Sequence, residues 1–242
     1  MAIEQRIEIE GVNCFTGRHA GRTYWLVPTG IGPKAAASAA SAVLNRHRAA
    51  LAISAGFAGA LMPAAAVGDV IVATRVLWGR FDKAWSQAGA PIVCDETVLR
   101  AVQAAATEIG MAVWNGPVVS LPTVVCRAVE KQSLSRLTGA VALDMESAAI
   151  GQVAQSQGVP FAVVRTVSDV AGEDLPLDFN AFLKPWGWMR GIGAMIMTPS
   201  SLNGLNRLRR QSRLAAARLT VLCAACAVNG FGLSPISHVG RA

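Results

Sequence analysis

Tyrosine occurs once in these 242 residues, histidine three times, and past Asp178 the chain carries no acid at all. The histidines, His19, His47 and His238, stand far apart, so no histidine-based metal site or triad is drawn from them. Cysteine is sparse and odd in number, at positions 14, 94, 126, 223 and 226, which is the usage of a reducing compartment and not of a disulfide framework. Cys223 and Cys226 have Cys-x-x-Cys spacing, but they lie in an Ala/Leu-rich stretch with no second pair and no neighbouring histidine, so no metal is assigned. No uncharged apolar run is long enough to read as a transmembrane span. The first ten residues mix acids with an arginine and contain no apolar segment, which argues against a signal peptide. The expected location is the cytoplasm. Internal repeats and low-complexity linkers are also missing.

Small apolar residues are abundant instead. About half the chain is hydrophobic, at 52%, enough for a full core in a single unit of this length. The net charge of +7 is unevenly spread: residues 1–178 hold fourteen Lys/Arg against all fifteen acids, and residues 179–242 hold eight Lys/Arg. The basicity therefore belongs to the C-terminal segment. No basic groove with interleaved aromatics accompanies it, which argues against nucleic acid as a partner. Leu202 to Cys226 has helical spacing, with Leu202, Leu205, Leu208, Ala215, Leu219 and Leu222 near one face and Arg207, Arg209, Arg210, Arg213 and Arg218 on the flanks. Such a helix either lies on an anionic membrane surface or packs on the body with its arginines in water.

Upstream, Cys14 to Thr16 and Tyr24 to Val27 predict a hairpin. Thr29-Gly30-Ile31-Gly32-Pro33 turns the chain into an Ala-rich helix, with Pro33 at its first position. The two glycines serve either a tight turn or close approach of a sugar or phosphate. Leu51 to Ser54 predicts a short buried strand running into the glycine-rich Ala55 to Leu61, and Asp69 to Val76 the next strand. Residues 79 to 93 read as an irregular flap. Thr97 to Ile109 is helical, Ala112 to Ser120 a strand, and Lys131 to Leu137 a helix whose Lys131 and Arg136 suit a solvated face. The last three elements are a strand at Gly139 to Leu143, a helix at Glu146 to Gln157 and a strand at Phe161 to Val167. Apolar strands alternating with helices predict an α/β fold built in layers around one sheet. Two carboxylates, Glu146 and Asp169, follow the ends of the last two strands, and in a parallel sheet such ends open onto one crevice.

Four segments, taken in order, carry a resemblance: Thr29-Gly30-Ile31-Gly32, Ala55-Gly56-Phe57-Ala58-Gly59-Ala60-Leu61, Asp144-Met145-Glu146-Ser147-Ala148-Ala149 and Arg165-Thr166-Val167-Ser168-Asp169. Over roughly residues 2 to 185 the chain resembles the purine nucleoside phosphorylase and methylthioadenosine/S-adenosylhomocysteine nucleosidase superfamily, and within it the hopanoid-biosynthesis-associated phosphorylases. The resemblance implies a three-layer αβα fold with a twisted mixed central sheet, formed by a catalytic domain at 1–185. A basic helical extension at 186–242 completes the chain. In the family an apolar strand precedes the segment that begins here at Met1, and it is missing from this sequence.

The chemistry implied is cleavage of a purine N-glycosidic bond. Positive charge builds on the ribosyl carbon and negative charge on the departing base, so the base must be protonated and the sugar steadied. By resemblance, Asp169 hands a proton to N7 and accepts from the 6-amino group, which favours adenine. Burial beside Val167 and Val170 would raise its pKa towards that role. Ionised Glu146 would hold the ribose 2′- and 3′-hydroxyls with bonds that strengthen as the sugar becomes cationic. Met145 would cover the sugar, Ala58, Gly59, Ser168 and Val125 would contact substrate, and Glu4 matches the catalytic acid that follows the first strand. From the residues alone, Glu4 is an exposed terminal glutamate, Glu146 a helix-dipole partner and Asp169 an N-cap.

This chain departs from the family in two places. Where phosphorylases hold phosphate with Arg and Ser, it has Ser54 and Phe57, and the aromatic that stacks on the base is replaced by Val124 with Val125 beside it. No cofactor is expected, and inorganic phosphate or water is the second reactant. Three functions follow: adenine release from adenosylhopane, a methylthioadenosine/S-adenosylhomocysteine nucleosidase, or a nucleoside-binding or membrane-associated module without catalysis. The resemblance also implies a homodimer. The basic helix adds peripheral contact with the inner membrane surface, where a lipid-linked adenosyl substrate would lie.

Overall fold

In the computed structural model the described residues are 3–176, 179–181 and 199–233. Residues 182–198, and His238 among residues 234–242, fall outside them. The N-terminal part folds as a three-stranded antiparallel sheet, β1 (Gln5–Ile9), β2 (Val12–His19) and β3 (Arg22–Leu26), one strand more than the expected hairpin. Its two turns, Glu10-Gly11 and Ala20-Gly21, hold φ values of 50° and 79° and of 47° and 74°. Two consecutive residues at positive φ make the turn whose twist matches the strands it joins, and glycine fills the second place without strain. Helix α1 (Pro33–Leu44) packs Ala42 and Val43 against Ile9 and Cys14 of this sheet.

The larger sheet has seven strands: β4 (Ala52–Ala60), β5 (Val70–Asp82), β6 (Ala84–Gln87), β7 (Ile92–Val93), β8 (Val113–Ser120), β9 (Ala142–Asp144) and β10 (Phe161–Asp169). Its order is β10-β4-β9-β8-β5-β6, with β7 on β5, and β5 also pairs with β10, so five strands close into a ring. Directions are mixed. β10 and β4 run together, β9, β8 and β5 run the other way, and the seams β4–β9 and β5–β10 are antiparallel. The segment 79–93 is not a flap: β5 continues through Gly79 to Asp82 and folds back on β6, whose Ser86 main chain lies so close to Gly79 that no Cβ fits there. Gly79 is what lets the second strand approach.

Alternate side chains of β10 face opposite layers. Ala162 and Val164 face α2 (Glu96–Glu108) and α5 (Pro199–Val228), while Phe161, Val163 and Val167 face α4 (Ser147–Ser156). Helix α3 (Ala128–Thr138) ends at Gly139, which takes the left-handed conformation at φ 66°. By length and composition alone Asn206–Val228, with a mean hydropathy of 1.2, could cross a bilayer. Its Ala215, Leu222 and Cys226 are instead buried on the sheet, and Thr166 Oγ1 donates to Ala215 O at 3.0 Å. The basic helix therefore forms part of the αβα layering, with Arg207, Arg209, Arg210, Arg213 and Arg218 exposed.

Candidate functional site

The site is organised by strand β4. The strand expected to be short, Leu51 to Ser54, continues through the glycine-rich stretch to Ala60, paired with β10 on one side and reached by β9 at Gly59 and Ala60. Gly59 sits opposite Asp169 on one flank and Leu143 on the other. The two acidic segments thus meet across one strand, about 10 Å apart at two strand spacings. They meet because β9 runs antiparallel to β4 and the strand ends overlap. Parallel strands opening onto a common crevice, the reason given by the sequence reading, are not the cause.

Two close approaches explain the glycines. A Cβ on Gly56 would lie 2.2 Å from Arg165 Nη1, and one on Gly59 would lie 2.9 Å from Asp169 Oδ2. The space at Gly56 lets the Arg165 side chain cross β4 towards β9. There its Nε donates to Asp144 Oδ2 at 2.8 Å, and its Nη2 donates to Ser54 Oγ and Ser147 Oγ, each at 2.8 Å. Ser147 Oγ in turn donates to Asp144 Oδ2. All four side chains are buried. A buried cation and anion hydrogen-bonded to each other and to two serines fix four elements to one another, and removing one member would strand the other's charge. Asp144 and Arg165 belong to the segments that carry the resemblance, and the sequence alone assigns them no role. The signal was present, since a lone arginine inside an apolar strand needs a counter-charge.

This cluster sets the start of α4 and with it Glu146, the residue before the helix. Glu146 Oε1 accepts the Gly32 N–H at 2.7 Å, so the Gly30–Gly32 turn is tied to the acid. Burial pushes the Glu146 carboxyl above its ordinary range, and the Gly32 bond partly offsets this. Glu146 also lines a cavity of about 950 Å³ whose walls are β3 on one side and Ala52–Phe57 of β4 on the other. Trp25, Leu26, Ile31, Val43 and Phe57 make that cavity largely apolar. The edge of β4 from Ala52 to Phe57 that faces away from β10 carries no strand pairing among the described residues.

Asp169 has other neighbours than the sequence suggested. Lys131, read there as part of a solvated face, is fully buried, and its Nζ donates to Asp169 Oδ2 at 2.6 Å and to the carbonyl of Val170 at 3.0 Å. Ser168 Oγ donates to Asp169 Oδ1 at 2.8 Å and stands 3.3 Å from Ala58 O. The surroundings of Asp169 therefore include an ammonium and a hydroxyl as well as Val167 and Val170. Arg136, on the same helix, is exposed as expected.

The remaining candidates divide. Ser168, Ala58 and Gly59 surround Asp169, and half-buried Met145 precedes Glu146. Val125 is packed into the core with Leu61, Leu121 and Leu134, while half-buried Val124 is bracketed by Asn180, which accepts from its N–H and donates to its carbonyl, both at 2.8 Å. Glu4 is exposed at the head of β1, its N–H donating to Thr16 O, and it is not among the residues that line the cavity. At the two places where phosphorylases hold phosphate, Ser54 is committed to Arg165 and Phe57 is 43% exposed.

The same arrangement has relatives. The sequence profile described as the phosphorylase superfamily matches residues 3–185. A 5′-methylthioadenosine/S-adenosylhomocysteine nucleosidase of Shewanella frigidimarina is 28% identical over 185 residues, covering 72% of this chain and 80% of its own. Among solved structures, that nucleosidase from Neisseria meningitidis, in complex with methylthio-immucillin-A, superposes with a TM-score of 0.72 at 22% identity, over 93% of this chain and 89% of its own. A futalosine hydrolase mutant of Helicobacter pylori superposes with a TM-score of 0.61 at 20% identity, over 67% of this chain and 78% of its own.

Proposed function

The chain belongs to the phosphorylase superfamily, and on that premise we propose that it cleaves the N-glycosidic bond of an adenosyl substrate and releases adenine. The observation that carries this reading is that the strand ends leading to the two acids meet across β4 at Gly59, with Asp169 against main chain where no side chain intervenes and Glu146, past the end of β9, lining a cavity. The purine lies on Gly59 and Ala58 with its N7 and 6-amino group on the Asp169 carboxyl, and Glu146 takes the ribose hydroxyls. Protonation of N7 lets the base depart neutral, and the Glu146 carboxylate steadies the cationic sugar. Met145 covers the sugar face. Water is the nucleophile: Ser54 is held by Arg165, and Phe57 brings no charge for phosphate.

The substrate we favour is adenosine carried on a hopanoid lipid, adenosylhopane. Two features support an amphiphile: the apolar cavity that Glu146 lines, and the outer face of α5, where Leu214, Val221 and Val228 are exposed among arginines and would rest on an anionic membrane surface. A second reading, favoured by the Shewanella relative, is methylthioadenosine or S-adenosylhomocysteine as substrate. Adenine release from each of the three, with and without inorganic phosphate, separates them. Release from adenosylhopane at a phosphate-independent rate is expected, and Asp169→Asn should lower it by about 10²- to 10⁴-fold, the usual contribution of a positioned acid. Release unchanged in that variant would end the proposal.

A further inference from the structure

Lys131 has no exposure at all, and the one carboxylate it meets among the described residues is Asp169, at 2.6 Å. Its remaining contacts are main-chain carbonyls, Val170 O at 3.0 Å and Glu173 O at 3.4 Å. A fully buried ammonium costs a great deal of solvation, and a loop staple could be built without one. At rest the pair is a carboxylate facing an ammonium, whereas delivery to N7 calls for a carboxyl with a proton. That proton is already one hydrogen bond away.

We propose that Lys131 and Asp169 act together as the acid of the reaction, with Lys131 supplying through Asp169 the proton that N7 receives. The inference rests on the reading of Asp169 given above. As the bond from C1′ to N9 breaks, its electron pair passes into the purine and N7 becomes basic. Nζ gives a proton to Asp169 Oδ2, the carboxyl turns about its C–O bond and hands a proton to N7, and the products are a neutral adenine, an Asp169 carboxylate and a Lys131 amine. The nucleophile loses a proton as it bonds to C1′, and an equivalent proton from solvent restores the ammonium. Lys131 acts through its partner and does not touch the substrate.

The surrounding charges do not compete for this proton. Helix α3 carries Glu130 and Arg136, with Arg127 at its N-cap. The segment after β10 brings Asp174, whose carboxylate caps the Ala128 N–H at 2.7 Å, and Glu173, whose carboxylate is 3.3 Å from Arg207 of α5. On β10 itself Arg165 is paired with Asp144, and β4 has no titratable side chain.

The test is adenine release by the wild-type protein, Lys131→Met and Lys131→Arg, followed as kcat between about pH 5 and pH 9. Wild-type kcat is expected to hold through neutral pH and to fall only well above the carboxylate range. In Lys131→Met, Asp169 must take its proton from solvent, so kcat near pH 8 should drop by at least about tenfold and recover as pH falls. Lys131→Arg keeps a cation that does not release its proton in this pH range and should stay slow through the neutral range. A Lys131→Met profile of wild-type shape at uniformly lower height, or Lys131→Arg at the wild-type rate, would overturn the inference. If neither variant folds, the wild-type profile decides, and an alkaline limb already in the ordinary carboxylate range refutes it. A wild-type protein that releases no adenine from any adenosyl substrate removes the function and this inference together. Turnover with unshifted variant profiles removes the inference alone.

Discussion

At the scale of single residues, burial of Glu146 sets a pH dependence. Its carboxyl is raised chiefly by desolvation, with Asp144 adding to the rise and the Gly32 N–H and Arg165 opposing it. Gripping the ribose hydroxyls needs the anion, and lowering the pH through a raised pKa neutralises it. The acid limb of kcat/KM should therefore begin above the ordinary carboxylate range. Glu146→Gln should lower kcat/KM about 10- to 100-fold and abolish that limb, since hydrogen bonds to a charged group contribute about 1.5–3 kcal/mol. An identical limb in the variant would place the titration elsewhere. Gly56→Ala sets a methyl group onto the Arg165 guanidinium, so a loss of about 1–3 kcal/mol is expected from the urea midpoint, as for overpacked cores. That Glu146 stands just past one strand and Asp169 at the end of another was legible in the sequence, because apolar runs lead into them. Lys131 was not: a lysine at helical spacing looks solvated until the fold brings a loop and a carboxylate over it.

At the scale of elements, α5 was legible as a helix, but its use was left open between a membrane and the protein body. The inner face at Ala215, Leu222 and Cys226 belongs to the body. Leu222→Ala should cost about 2–5 kcal/mol, measured by the same urea titration, because the side chain is fully buried between α5 and the sheet. The outer face is where surface binding would be read. Replacing Arg209, Arg210 and Arg213 by Glu should abolish co-sedimentation with anionic phospholipid vesicles and leave adenine release from a soluble substrate unchanged. Co-sedimentation that persists would assign the attachment to another part of the chain. The extent of β4 was harder to read. Glycine usually ends a strand, and here two glycines continue one because side chains from β10 occupy the space a Cβ would need.

At the scale of the whole molecule, layering and strand alternation followed from the apolar pattern, whereas strand direction did not. A three-residue strand such as β9 carries no sign of whether it runs with or against its neighbour, so the convergence of the acids was anticipated for a reason that proved incorrect. The margin of β4 beside the cavity, unpaired among the described residues, has a further consequence. A strand held on one side only leaves a row of peptide groups whose protection depends on whatever fills the space next to them. Deuterium should therefore enter the outward-pointing amides of residues 52–57 much sooner than the amides that β4 shares with β10, and at high protein concentration this interior seam is where chains would first begin to stick together.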